Sequence, residues 1–177
     1  MSLRNMLASF ENIFLDRDGI INEVIMRDSV VSSPRSIDEF KFRNEIKEFV
    51  TALQNQKKRI FVVSNQPDIA RKKMDICELN KMTKKIEEEL KIENIAYCIH
   101  DDEDCCDCRK PKPGLINNFM KEFNLISAKS VLIGDSLKDI EAAKNANISS
   151  ILLSTNYNSY IENSIEYTHI SSLKDLL

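Results

Sequence analysis

Short apolar runs alternate with amphipathic stretches along this chain. The runs fall at 12–15, 60–63, 95–100, 131–133 and 150–153, and their brevity and apolar character predict strands of a parallel sheet wrapped by helices. Between the first two, Ile46, Phe49, Val50 and Leu53 recur at helical spacing. The clearest helix is predicted over 75–92, where Asp75 and Glu78 form a capping-box pattern and Ile76, Leu79, Met82, Ile86 and Leu90 form a stripe expected to pack on the core. Helices are also predicted over 114–123 and 136–146, and a strand followed by a helix over 166–177. Segment 22–43 has no clean period and reads as a flap or hairpin beside the first strand, able to shape a pocket mouth. The whole pattern predicts a three-layer α/β fold with a central, mostly parallel sheet and helices on both faces.

The 177 residues suit a single domain spanning 1–177. Charge is near balance, with 25 Lys+Arg against 28 Asp+Glu, which argues against a protein that binds nucleic acid through a large basic excess. No apolar run approaches the roughly 18 residues of a membrane helix, and the first eight residues lack the apolar core of a secretory signal. A cytoplasmic monomer without nucleic-acid or membrane partners is expected. Four of the five cysteines, Cys98, Cys105, Cys106 and Cys108, fall within eleven residues, a clustering of the metal-site kind. Cys77 stands apart and is expected to be a small core residue. The three glycines, Gly19, Gly114 and Gly134, all sit inside charged, loop-like motifs.

Those motifs carry the candidate chemistry. Asp16-Arg17-Asp18-Gly19 follows the first strand directly, at the carboxyl end, where open α/β sheets bind ligands. Two carboxylates that close call for a hard cation with oxygen ligands, Mg²⁺ above all. The second strand ends in Ser64-Asn65-Gln66, whose hydroxyl and backbone N–H groups suit a phosphoryl oxygen. Arg109-Lys110-Pro111-Lys112-Pro113-Gly114 offers three cations on a proline-stiffened turn. The fourth strand runs into Gly134-Asp135-Ser136, with Asp139 one helical turn further on.

In this order, Asp16-x-Asp18-Gly19, Ser64, Lys110 and Gly134-Asp135-x-x-x-Asp139 resemble the four motifs of the haloacid dehalogenase superfamily of aspartyl-phosphate phosphatases. Phe14 to Gly19, Ser64-Asn65-Gln66, Ile69-Ala70-Arg71 and Cys106 to Gly114 are similar, more narrowly, to the D-glycero-D-manno-heptose-1,7-bisphosphate phosphatases, a group that includes histidinol-phosphate phosphatases. The resemblance implies a Rossmann-like fold in which Asp16 is the nucleophile and Asp18 the general acid and base. Mg²⁺ would be held by Asp16, the Asp18 carbonyl and Asp135. Ser64 and Lys110 would steady the phosphoryl oxygens, and Asn65, Gln66 and Arg109 would contact a phosphorylated sugar. It further implies a structural Zn²⁺ on Cys98, His100, Cys106 and Cys108, in a loop over 98–108; on spacing alone Cys105 could replace Cys106, and the group's pattern favours Cys106.

Some positions depart from that pattern. Ile20 replaces the usual Thr, Val24-Ile25-Met26-Arg27 replaces a polar stretch, the loop between His100 and Cys106 is short, and Ser136 stands where Lys is frequent. The gaps between Asp18, Ser64 and Lys110 leave no room for a separate cap domain, so a flap at about 20–43 and the cysteine loop are expected to select the substrate. Competing readings are a phospho-accepting receiver module and a nucleic-acid 3′-phosphatase.

Overall fold

The computed structural model describes residues 3–161 and 167–177. Its centre is a six-stranded sheet built from β1 (Asn12–Leu15), β4 (Arg59–Asn65), β5 (Ile95–Cys98), β6 (Ser130–Gly134), β7 (Ser149–Leu153) and β8 (Thr168–Ile170). The spatial order is β5-β4-β1-β6-β7-β8 and every pairing is parallel. Strand alternation sorts the apolar residues onto two faces. Ile13, Leu15, Ile60, Val62, Val131 and Ile133 pack with helices α1 (Ile46–Asn55) and α2 (Ile76–Leu90). Their neighbours Phe14, Phe61, Val63 and Leu132 pack on the other face with α3 (Gly114–Glu122) and α4 (Leu137–Asn145). With both faces covered, the strands are apolar throughout, which is why they read as runs rather than as an alternation.

From β1 the chain first builds outward to β4 and β5, then returns to lay β6, β7 and β8 on the opposite side. The reversal leaves a crevice at the carboxyl ends of β1 and β6. Beside it, β2 (Ile25–Arg27) and β3 (Val30–Ser32) form an antiparallel hairpin. Asp28 and Ser29 both take positive φ at its turn, as a two-residue hairpin turn requires. The expected flap is therefore a hairpin.

Boundaries differ from the sequence reading at a few places. β4 extends beyond the apolar run at 60–63 to include Arg59, Ser64 and Asn65, and stops one residue before Gln66. β5 stops at Cys98, two residues before the expected end, where the Cys98 carbonyl accepts the Gln66 N–H and the chain turns into the cysteine loop. Cys77 is exposed rather than in the core, and Ile76 is 46% exposed. Both lie in the first turn of α2, where the Asp75 side chain caps the Cys77 N–H, so the buried stripe begins only at Leu79. Of the predicted 166–177 segment, the strand and a closing 3₁₀ turn at Leu173–Leu176 are present; position 166 lies outside the described residues.

Candidate active site

Asp16, the end of β4 and Asp135 line one cavity of about 380 Å³, together with Asp18, Lys110 and Arg109. Hydrogen bonding fixes its floor. Lys110 Nζ lies 2.8 Å from Asp16 and 2.5 Å from Asp139, and donates to the Val63 carbonyl at 2.9 Å. Burial opposes the Lys110 charge, but Asp139 and Asp16 outweigh it and hold the ammonium above its usual range. Asp139 is fully buried and also accepts the Ser136 N–H and hydroxyl. Gly134 makes that possible, since a Cβ there would come 2.3 Å from the Asp139 Cβ.

Asp18 is held from several sides. Arg17, with no exposed surface, grips it through Nε and Nη2 at 2.9 to 3.1 Å. Asn22 Nδ2 donates at 2.9 Å, Gln66 Nε2 at 2.7 Å and the hydroxyl of Ser33, just past the hairpin, at 2.8 Å. Burial would raise the Asp18 pKa; the Arg17 charge and these donors outweigh it and bring the carboxyl below its usual value. Asp16 behaves oppositely. Burial, opposed by Lys110 and reinforced by Asp139 and Asp18, pushes it up to about 7. Asp135 also rises well above the carboxylate range, through burial and then the charges of Asp16 and Asp139.

The charge balance explains this. Four carboxylates, Asp16, Asp18, Asp135 and Asp139, face two cations, Arg17 and Lys110. Two negative charges remain, and ligand oxygens of Asp16, Asp135 and Asp139 lie within 4.8 Å of one another. A divalent cation with a taste for oxygen fits both the charge and the donor set.

The second cluster unites Cys98, His100, Cys106 and Cys108. Cys98 Sγ lies 3.6 Å from Cys106 Sγ and 3.7 Å from His100 Nδ1, while Cys108 Sγ lies 3.4 Å from Cys106 Sγ and 3.3 Å from His100 Nδ1. All five cysteines are free thiols. With Zn–S bonds of about 2.3 Å, the edge of a tetrahedron is about 3.8 Å, so the four atoms already sit near the corners of one. Cys105 is exposed and lies outside the group, whereas Cys106 lies within it.

Other expected contacts fall in different places. Asn65 lines the cavity and holds the Lys110 backbone at both N–H and carbonyl. Gln66, expected to touch substrate, is fully buried and serves Asp18, Arg17 and Ser64 instead. Arg109 reaches the cavity wall with its Nε donating to Asp102 at 2.6 Å, and Arg71 and Lys138 line the same wall. Sequence reasoning gave no role to Arg17, Asn22, Ser33 or Tyr157, whose hydroxyl donates to Asp135. For Arg17 the signal was present, as an arginine between two acids, and Asn22 lies only four residues from Asp18; for Ser33 and Tyr157 the tertiary fold makes the contact.

A family model described as haloacid dehalogenase-like hydrolase matches residues 20–153. A D-glycero-beta-D-manno-heptose-1,7-bisphosphate 7-phosphatase of Neisseria meningitidis is 36% identical over 135 residues, covering 73% of this chain and 70% of that protein. The alpha-anomer enzyme of Campylobacter jejuni is 36% identical over 146 residues, covering 80% of each. Among solved structures, the D,D-heptose 1,7-bisphosphate phosphatase of B. bronchiseptica, complexed with magnesium and phosphate, superposes with a TM-score of 0.82 at 26% identity, covering 93% of this chain and 94% of that one.

Proposed function

Because this chain belongs to the haloacid dehalogenase-like hydrolases, we propose that it hydrolyses the 7-phosphate of a heptose 1,7-bisphosphate through an aspartyl-phosphate on Asp16. The observation that carries this reading is the buried centre of four carboxylates and two cations at the carboxyl end of β1, with Lys110 on Asp16 at 2.8 Å. Mg²⁺, held by Asp16, Asp135 and the Asp18 carbonyl, supplies positive charge against the phosphoryl oxygens when bound.

The chain's own groups do the rest. Asp16 attacks phosphorus as the leaving oxygen departs. Lys110, fixed by Asp139 and the Val63 carbonyl, meets the charge on the phosphoryl group, and Ser64 on the cavity wall donates to it. Asp18, an ionised carboxylate before substrate arrives, takes up the proton that a phosphate monoanion brings with it, gives it to the leaving oxygen, and then takes one from the water that cleaves the acyl phosphate. Arg17, Asn22, Gln66 and Ser33 hold its direction before substrate arrives. Arg109, beside Arg71 and Lys138, receives the second phosphate, which displaces Asp102 from the guanidinium. Cys98, His100, Cys106 and Cys108 would hold Zn²⁺, which would pin the loop that carries Arg109 and Lys110. Cysteines kept out of disulfides and available as ligands suit a reducing cytoplasm.

The test is phosphate release from both anomers of heptose 1,7-bisphosphate, the matching monophosphates, histidinol phosphate and a 3′-phosphorylated oligonucleotide. The bisphosphate should have the highest kcat/KM, and Arg109→Ala should remove roughly 10- to 150-fold of its advantage, the value of one charge-assisted contact. Equal kcat/KM for mono- and bisphosphates would remove the second-phosphate role, and preference for histidinol phosphate would replace the heptose.

A further inference from the structure

The loop after β7 folds back onto Asp135. Asn158 Nδ2 donates to the carbonyls of Asp135 and Leu153, both at 2.8 Å, and Asn158 Oδ1 accepts the Thr155 N–H at 2.7 Å. These bonds lock the loop to the ends of β6 and β7, and Asn158 is itself buried. Tyr157 is thereby delivered to the cavity wall with its hydroxyl donating to Asp135 Oδ2. Gly19, at φ +88°, abuts the same oxygen: a Cβ on it would lie 1.9 Å from Asp135 Oδ2 and 2.7 Å from the Tyr157 hydroxyl oxygen. Oδ2 is thus enclosed between Gly19 and Tyr157, and Oδ1 is the oxygen left to serve as a ligand.

We propose that Tyr157 is a positioning residue for the cation, acting through Asp135. A carboxylate can turn about its side-chain torsions, and a donor fixed on one oxygen holds the other toward Asp16. Partners of this kind are worth roughly 10- to 100-fold in metal affinity. The inference rests on the cation reading of the acidic centre given above, and it concerns a residue 22 positions beyond Asp135, on a separate loop.

The experiment is calorimetric titration of Mg²⁺ into the substrate-free wild-type protein and Tyr157→Phe, which keeps the ring and its packing, together with metal-free melting of both. Tyr157→Phe should bind Mg²⁺ roughly 10-fold or more weakly, melt as the wild type does without metal, and regain wild-type kcat and substrate KM at saturating Mg²⁺. Equal Mg²⁺ affinity in the two proteins would overturn the role of Tyr157 and leave the cation reading standing. Weaker binding accompanied by a matching loss of metal-free stability would also overturn it, since the hydroxyl would then be structural. A wild-type protein that binds no Mg²⁺ would overturn the cation reading itself.

Discussion

The acidic centre and the cysteine loop meet at Arg109-Lys110, yet they are held by opposite means. Three carboxylates of the centre, Asp16, Asp18 and Asp135, follow the ends of β1 and β6, whose residues are buried on both faces of the sheet; Asp139 lies in the first turn of α4, and each of the four bonds to a side chain on another element. Their positions are set by the core, and a cation relieves repulsion there. Between Cys98 and Cys108, by contrast, there is only a three-residue 3₁₀ turn at Asp102–Asp104, and most of the loop is exposed. The loop is held by its sulfur and imidazole cluster and by polar ties, Arg71 to Asp101, Arg109 to Asp102 and Lys112 to the Cys105 and Cys106 carbonyls. One metal is therefore expected to tune a site that the fold already builds, and the other to build the segment that carries Arg109 and Lys110.

The largest expected effect isolates the chemistry from the scaffold. Asp16→Asn should lower turnover by about 10⁴-fold or more while leaving melting unchanged or slightly raised, because it relieves repulsion between Asp16 and the carboxylates of Asp139 and Asp18. Steady-state kinetics and metal-free melting on the same preparation check both halves. Lys110→Met should break the scaffold as well as the chemistry. It strands Asp139 and Asp16 without their shared cation, an effect of roughly 3–5 kcal/mol, or about 6–20 °C in Tm.

Cys108→Ser should sharpen the contrast from the other side. Metal analysis should find its zinc lost, and kcat/KM for a bisphosphate should fall, whereas Tm drops by only about 2–4 °C, the equivalent of about 1 kcal/mol. Cys105→Ser and Cys77→Ser, both at exposed thiols, should change neither.

A smaller effect reads the acidic centre through pH. Asp16, raised from 3.8 to about 7, and Asp135, also raised, keep protons in the folded state that the unfolded chain has released. Without metal, stability should therefore fall as pH climbs from about 4 toward 7. Asp18 is shifted downward, and its contribution is lost only at or below its ordinary value. Since Mg²⁺ takes the place of those protons, its stabilising increment in melting should be larger at pH 8 than at pH 5. An increment independent of pH would mean that Asp16 and Asp135 do not hold the ion.

Both regions were legible in the sequence, though not every residue within them. Strand-end acids recur after two separate apolar runs and a Ser-Asn-Gln follows a third, so the sheet and the convergence of Asp16, Ser64 and Asp135 on one edge could be read from the pattern, while the place of Lys110 beside them came from the family resemblance. The cysteine pattern was equally direct: spacing left Cys105 and Cys106 open, the group's pattern favoured Cys106, and Cys106 is the one that clusters with Cys98, His100 and Cys108. Cys77 and Ile76 misled because helical spacing gives a face but not the point at which a helix first meets the core. Gln66 was a polar residue after a strand, and only the buried Arg17 and Asp18 explain why it turns inward. Tyr157 left no local trace, because its contact depends on where β7 lies relative to β6.

The claim that Asp16 carries the phosphoryl group is the one on which the acidic centre depends, and it can be read chemically. Enzyme quenched during turnover of a heptose 1,7-bisphosphate with Mg²⁺ would be reduced with borohydride, which converts an aspartyl phosphate to homoserine, and then mapped by peptide mass spectrometry. Homoserine at position 16, absent without substrate and absent in Asp16→Asn, is the expected result. Sustained turnover with no homoserine at position 16, or with the modification on another carboxylate, would contradict it.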